Sequence, residues 1–286
     1  MALAKKIVGI VYDFDGTLSP GNMQEYTFIP YVGSEPKAFW EESKEFAIEN
    51  SMDPILAYMY LMVQKAMAAN KPAGKDELMD CGKNIDFFPG VDSWFSRINS
   101  FGAALSLRVE HYIISSGLLE IISGCKISNE FKEIYASSFI YDVYNRPIWP
   151  AQVVNYTTKT QYIFRINKGL LDPNDDSTIN KYIEPSKRRI PFQNMIYIGD
   201  GMTDVPCMSL VKRAGGHSIA VYPPKKRNGT DLARSLLSEN RCNLYLPANY
   251  SANSELECAV KSYLSLIQSE QTIKALENNI QKGMKK

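Results

Sequence analysis

Histidine is nearly missing from this chain: among 286 residues there are two, His111 and His217. Each stands beside a predicted strand, where a core or surface role is the ordinary one. Their scarcity argues against Ser-His-Asp or Cys-His nucleophilic catalysis. Cysteine is sparse too. Cys81, Cys125, Cys207, Cys242 and Cys258 are odd in number, widely spaced and without a C-x-x-C pair, which excludes a disulfide framework and a cysteine zinc site. No stretch approaches the ~18 consecutive apolar residues of a membrane span. The opening "MALAKKIVGIVYDFD" carries no secretory pattern, since its apolar run breaks at Asp13. Charge of one sign is not in excess either. With 32 Lys and Arg against 31 Asp and Glu, a net charge of +1 gives no electrostatic case for nucleic acid or an acidic membrane surface. The basic clusters at 186–189, 225–227 and 282–286 read as solvated loops and a frayed end. The expectation is a reduced, cytoplasmic protein with neither a nucleic-acid nor a membrane partner.

What the chain does have is apolar substance: 45% of residues are hydrophobic and 22% charged, enough for one large domain or a core with a smaller insert. Short apolar runs alternate with helix-period segments, as in a parallel sheet flanked by helices. Strands are predicted at Ile7–Tyr12, Tyr112–Ser115, Met195–Ile198 and Ser218–Val221, with a shorter one near Asn243–Leu246. None alternates with polar residues, as expected of strands buried on both faces. The β-forming stretch from Ile134 to Tyr156 reads as strand material around an irregular hairpin at Asn145-Arg146-Pro147. Residues 20–88 differ, being rich in Met, Ala, Glu, Lys and Tyr with no strand-like run. Ser34 is the expected N-cap of a first helix with Pro36 in its first turn, and Asp53 with Pro54 repeats the arrangement. A third short helix covers Lys75–Lys83. Residues 174–190 read as loop and weak helix, and 254–286 as one or two amphipathic helices.

Three strand ends carry chemistry. "IVGIVYDFDGTL" delivers Asp13 and Asp15 to the tip of the first strand, where open α/β sheets bind ligands. Residues two apart in an extended tip project the same way. Two such carboxylates repel unless a cation or shared proton intervenes, and hard oxygen donors favour Mg²⁺. "MIYIGDGMTDVP" brings Asp200 and Asp204 to a second tip, with Thr203 as a candidate cap for the following helix. "HYIISSGLLEII" delivers Ser115, Ser116 and Gly117 just before a helix, whose N-terminal N–H groups and macrodipole suit an anion. Within "NYTTKTQYIFRINKGL", Thr157 or Thr158 is the expected N-cap. That places Lys159 in the first turn, opposing the macrodipole, so the role of a phosphate-binding cation falls to it. Lys168, just before Gly169, sits where a cation is favourable for structural reasons.

These segments, in this order, resemble the four motifs of the haloacid dehalogenase-like (HAD) superfamily, and within it the phosphoserine phosphatase-like branch. The resemblance implies a Rossmann-like three-layer α/β/α core with a mostly parallel sheet, over residues 1–19 and 89–286. It also implies a small helical cap of the C1 type at 20–88. It further implies a Mg²⁺-dependent phosphatase acting on a small phosphorylated metabolite. Asp13 would be the nucleophile that becomes an aspartyl-phosphate, and Asp15 the general acid and base. Ser115, Ser116, Gly117 and Lys159 would bind phosphate. The metal would sit among the Asp13 carboxylate, the Asp15 backbone carbonyl and Asp200, with Asp204 as a further ligand or support. An acid at Asp15 favours phosphoryl chemistry over dehalogenation. The branch's cap glutamate is replaced here by Asn22, and Glu25, three residues on, is the candidate substitute in substrate binding. Tyr26, Phe28, Tyr31 and Trp40 are read mainly as cap core. A phosphotransferase or phosphomutase on the same scaffold is the runner-up, and a non-catalytic phospho-ligand-binding protein the reading from another class.

Overall fold

The computed structural model describes residues 6–225 and 231–284. The first five residues, Lys226 and Arg227 of one basic cluster, and Lys285 and Lys286 of another lie outside that range. Seven strands form one sheet: β1 (Lys6–Tyr12), β2 (Leu107–Leu118), β3 (Phe131–Tyr141), β4 (Pro147–Gln152), β5 (Met195–Gly199), β6 (His217–Tyr222) and β7 (Leu244–Pro247). Their order is β4-β3-β2-β1-β5-β6-β7. Every neighbouring pair is parallel except the hairpin β3–β4. β1 is central, with Tyr12 aligned to Ile113 of β2 and Ile198 of β5. Chain direction across the sheet reverses between β1 and β5, and a ligand crevice belongs at the carboxyl ends there.

The helices are α1 (Met23–Tyr26), α2 (Phe28–Tyr31), α3 (Pro36–Glu49), α4 (Pro54–Ala68), α5 (Lys75–Cys81), α6 (Val91–Ala104), α7 (Leu119–Gly124), α8 (Lys159–Lys168), α9 (Val205–Arg213), α10 (Asp231–Ser238) and α11 (Glu255–Met284). Alternate residues of the central strands serve two apolar layers, because successive side chains leave a strand on opposite faces. Val8, Ile10 and Tyr12 pack with Trp94, Phe95 and Ile98 of α6 and with Val260 and Leu264 of α11. Val11, Tyr112 and Tyr197 pack on the other face with Ile163 and Ile166 of α8 and with Met208 and Val211 of α9. The architecture is therefore three-layer α/β/α. No helix among the described residues is long and apolar enough to cross a membrane.

α1 to α5 fill the interval between β1 and α6, and the ends of that interval are joined, Phe88 N donating to Leu18 O at 2.9 Å. Met23, Phe28, Phe39, Met59 and Leu78 of these helices belong to the same apolar layer as β1 and α6. The insert therefore shares the core instead of building one of its own. At its seam with α7 the backbones touch: a Cβ on Gly124 would lie 1.8 Å from Met79 O.

Several local expectations are corrected. Glu35, not Ser34, precedes α3, with Pro36 as its first residue and no side-chain cap. Asp53 does cap α4, accepting from Ile55 N and Leu56 N. Residues 174–190 hold only one 3₁₀ turn, Pro185–Lys187, and the chain entering them is held by Arg165, which donates to the carbonyls of Asp172, Pro173 and Asp175. The C-terminal helix is single and 30 residues long. On the sheet's outer edge, β4 reads PIWPAQ, with Ile148 and Trp149 exposed.

Candidate active site

Four acidic side chains and one lysine meet where the tips of β1, β2 and β5 converge. Asp13 directly follows β1, and its N–H continues the ladder to Ile198 O at 3.0 Å. Its carboxylate is fixed at both oxygens. Oδ1 accepts from Phe14 N at 2.7 Å, and Oδ2 lies 2.8 Å from Lys159 Nζ. Asp15 Oδ1 accepts from Met23 N at 2.9 Å, so the first turn of the insert is tied to the strand tip. Gly16 takes φ +73°, a left-handed conformation suited to glycine. A Cβ there would stand 2.2 Å from Asp200 Oδ2. The tip thus lets Asp200 close in, and Thr17 Oγ1 donates to Asp200 Oδ1 at 3.1 Å.

Lys159 is fully buried and bridges two carboxylates, with Nζ 2.8 Å from both Asp13 Oδ2 and Asp204 Oδ1. Those partners account for a cation at the positive end of a helix. Burial alone works against its charge, but Asp13 and Asp204 outweigh burial and raise its pKa. Thr158 stands at the N-cap position of α8, as expected, with Lys159 in the first turn, but its backbone is already helical and its side chain makes no capping bond; the turn begins at Asn155, whose carbonyl accepts from Lys159 N. Lys168 donates to the carbonyls of Ile179 and Lys181, away from the site.

Asp204, expected as a further metal ligand or a support, is held by four donors of the protein. Oδ1 accepts from Lys159 Nζ at 2.8 Å and Tyr197 OH at 2.7 Å, while Oδ2 accepts from Asp200 N at 3.2 Å and Gly201 N at 3.1 Å. A carboxylate offers about four lone-pair sites, and all four are engaged. Asp204 also closes the turn that Thr203 was expected to cap. The Ser115 segment departs as well. β2 runs on to Leu118 and α7 begins only at Leu119. Leu118 N donates to Met23 Sδ, so no helix N-terminus stands at Ser115. The side-chain groups lining the cleft there are hydroxyls: Ser115 Oγ, which accepts from Gly117 N at 3.1 Å, and Ser116 Oγ, which has no partner.

Negative charge exceeds positive charge in this cluster, and the acidities record it. Burial, then Asp204, push Asp13 up to about 7 despite Lys159. Burial, then Asp204 and Asp13, push Asp200 up to about 8. Burial, then the field of Asp13, hold Asp15 well above the usual carboxylate range. Oxygen atoms of Asp13, Asp200 and Asp204 lie within 4.8 Å of one another. Such a set of hard donors, two of its carboxylates short of a counter-charge, fits Mg²⁺, which Asp13 and Asp200 could hold, Asp204 being engaged by its four donors.

The cleft above these residues measures about 290 Å³. Asn22, Gln24, Trp40, Ile55 and Tyr58 line it from the insert; of these the sequence singles out Asn22, in the place of a cap glutamate, and Trp40, as core. Tyr58 lies within an unbroken apolar helix, where a residue facing a cleft shares the periodicity of one facing the core. Its OH donates to Ser116 O at 2.7 Å. Glu25 is not among the described lining residues; its Oε1 accepts from Trp40 Nε1 and Asn22 Nδ2, both at 2.6 Å. Phe28 is core, whereas Tyr31 is exposed.

An uncharacterized protein of Borreliella burgdorferi is 29% identical over 280 residues, spanning 88% of this chain and 94% of that one. Among solved structures, a HAD family hydrolase from Salmonella enterica serovar Typhi superposes with a TM-score of 0.57 at 16% identity, over 88% of this chain and 72% of that one. A probable phosphoserine phosphatase from Vibrio cholerae gives 0.58 at 15% identity, over 93% and 68%. At these identities the two structures speak for a shared fold. The family model of haloacid dehalogenase-like hydrolases matches residues 10–209, a span that holds every one of the strand-tip residues just described, and the chain belongs to that family.

Proposed function

We propose that this hydrolase is a phosphomonoesterase that acts on a small phosphorylated metabolite through an aspartyl-phosphate on Asp13. The observation that carries the reading is the contrast between two carboxyl groups one residue apart. Asp13 is oriented at both oxygens, by Phe14 N–H and the Lys159 ammonium. Burial, then the field of Asp13, push the Asp15 carboxyl well above the usual carboxylate range, toward its protonated form. One is arranged to attack and the other to give up a proton.

In the first step an Asp13 oxygen bonds to phosphorus, the ester P–O bond breaks, and the Asp15 proton passes to the departing alkoxide. In the second, Asp15, now a carboxylate, takes a proton from water as that water's oxygen attacks phosphorus, releasing phosphate and restoring both residues. The Ser115 hydroxyl and Lys159 face the phosphoryl oxygens, whose charge spreads in the transition state. Mg²⁺, held by Asp13 and Asp200, would offset the repulsion between an anionic nucleophile and an anionic phosphate. Residues 20–88 serve as the cap in this reading, closing the cleft with Gln24, Trp40 and Tyr58. The fold likeness to a probable phosphoserine phosphatase supports it. A reduced, cytoplasmic setting belongs to the same proposal, supported by five free cysteines.

The test is phosphate release from a panel of phosphorylated metabolites with and without Mg²⁺. Release should depend on Mg²⁺ and fall by about a thousandfold or more in Asp13→Asn. A correctly folded Asp13→Asn enzyme as fast as the parent overturns the mechanism.

A further inference from the structure

Gln24 sits at the cleft wall only 2% exposed, and its Oε1 has no hydrogen-bond partner, although buried polar atoms are ordinarily satisfied. Its neighbours are engaged within the protein. Met23 N–H binds Asp15, Glu25 holds Trp40 and Asn22, and the Tyr26 hydroxyl accepts from Gly21 N and pairs with Ser19. The segment is thereby pinned on both sides of Gln24 while this one acceptor is left over. Ser116 Oγ, buried and equally unpartnered, lines the same cleft. Trp40 and Ile55 supply its apolar wall, and no Lys, Arg or His is among the described residues lining it.

We propose that Gln24 and Ser116 form the subsite for the alcohol part of the substrate, and that this alcohol is a small polyol, uncharged and bearing a hydroxyl beyond the ester carbon. This inference rests on the phosphate-ester reading above. A carboxamide and a hydroxyl are neutral groups that both donate and accept, as an alcohol O–H does. A substrate carboxylate in this subsite would be stripped of water with no cation among the described residues lining the cleft, Lys159 being taken up by Asp13 and Asp204, which is costly. A substrate ammonium would seek a carboxylate; Asp13, Asp15 and Asp200 of the cleft are committed to the phosphoryl end in this reading, and beside Gln24 the Glu25 Oε1 is already held by Trp40 and Asn22. A cleft of about 290 Å³ suits a phosphate with a few carbons attached.

Two arms separate this inference from the reading beneath it. Turnover of p-nitrophenyl phosphate and ethyl phosphate with Mg²⁺ tests the phosphatase; if neither they nor any polyol ester is hydrolysed, that reading falls and takes this one with it. The specificity arm compares erythritol 4-phosphate and glycerol 3-phosphate with ethyl phosphate, phosphoserine and phosphoethanolamine. Binding to Asp13→Asn by calorimetry and kcat/KM of the parent are both read. Each polyol ester should exceed ethyl phosphate about tenfold or more in both readouts, since a site built to bond a hydroxyl rejects the analogue lacking it. In Gln24→Met the polyol-to-ethyl ratio should fall toward one, and in Gln24→Glu preference should move toward phosphoethanolamine. Hydrolysis with equal rates for polyol and ethyl esters, a parental preference for phosphoserine or phosphoethanolamine, or an unchanged ratio in Gln24→Met would each overturn the polyol subsite and leave the phosphatase standing.

Discussion

Asp204 offers the sharpest test of how this site is built, because its two roles as ligand or support give opposite results in metal-free protein. Its four donors are Lys159 Nζ, Tyr197 OH, Asp200 N and Gly201 N. An Asn in its place has one acceptor oxygen and an NH₂ group. If the oxygen keeps the two backbone N–H groups, the NH₂ confronts the Lys159 ammonium, and the tyrosine hydroxyl must turn to accept. If the carboxamide is flipped, the two amides lose their acceptor. Either way a buried, hydrogen-bonded ion pair loses a partner, which costs about 3–5 kcal/mol. For a chain of this size that is a drop in Tm of roughly 6–20 °C. The assay is urea or thermal unfolding in EDTA. Asp200→Asn should behave in the opposite sense: it removes a carboxylate that burial and two acidic neighbours disfavour, so stability in EDTA should hold or rise, while stabilisation by Mg²⁺ should vanish. If Asp204→Asn unfolds within about 1 kcal/mol of the parent in EDTA and differs only when Mg²⁺ is added, Asp204 is a ligand and the reasoning fails.

Two further outcomes concern stability alone. His111 is buried in a chain in which Trp94 Nε1 donates to Tyr12 OH and that hydroxyl to His111 Nδ1, leaving Nε2–H for Asn99 Oδ1. Burial pushes its pKa down to about 3, so below about pH 6.5 the unfolded chain binds a proton that the folded one refuses. Stability should therefore fall as pH drops from about 6.5 toward 3, by up to about 1.4 kcal/mol per pH unit from this residue; an identical pH slope in His111→Gln, followed by urea unfolding, would refute it. Gly124→Ala drives a Cβ into Met79 backbone, and should cost about 1–3 kcal/mol or more in one unfolding transition, since insert and sheet share a core. Two separate transitions by circular dichroism and fluorescence would show instead that the insert unfolds on its own.

The strand tips were legible because buried strands announce themselves as unbroken apolar runs, and a carboxylate or serine at the end of such a run has few structural reasons to be there. Lys159 was legible for the opposite reason, being in a place that helix electrostatics disfavour; its two carboxylate partners resolve the conflict. What escaped the sequence depends on how elements meet. Gln24 and Tyr58 face the cleft only because α1 and α4 lean over β2. The strand is predicted to end at Ser115 because nothing in the apolar run signals that it continues to Leu118. The engagement of Asp204 by four donors required Tyr197, Lys159 and two backbone amides to arrive from separate segments.

The outer strand of the sheet has a consequence for the molecule in crowded solution. An edge with exposed Ile148 and Trp149 would ordinarily invite another chain's strand. β4, however, carries proline at two of its six positions, Pro147 and Pro150, and proline brings no amide proton to any ladder. A foreign strand laid along that side would meet a broken row of donors. The same two residues that make the hairpin irregular also discourage growth of the sheet from one molecule into the next.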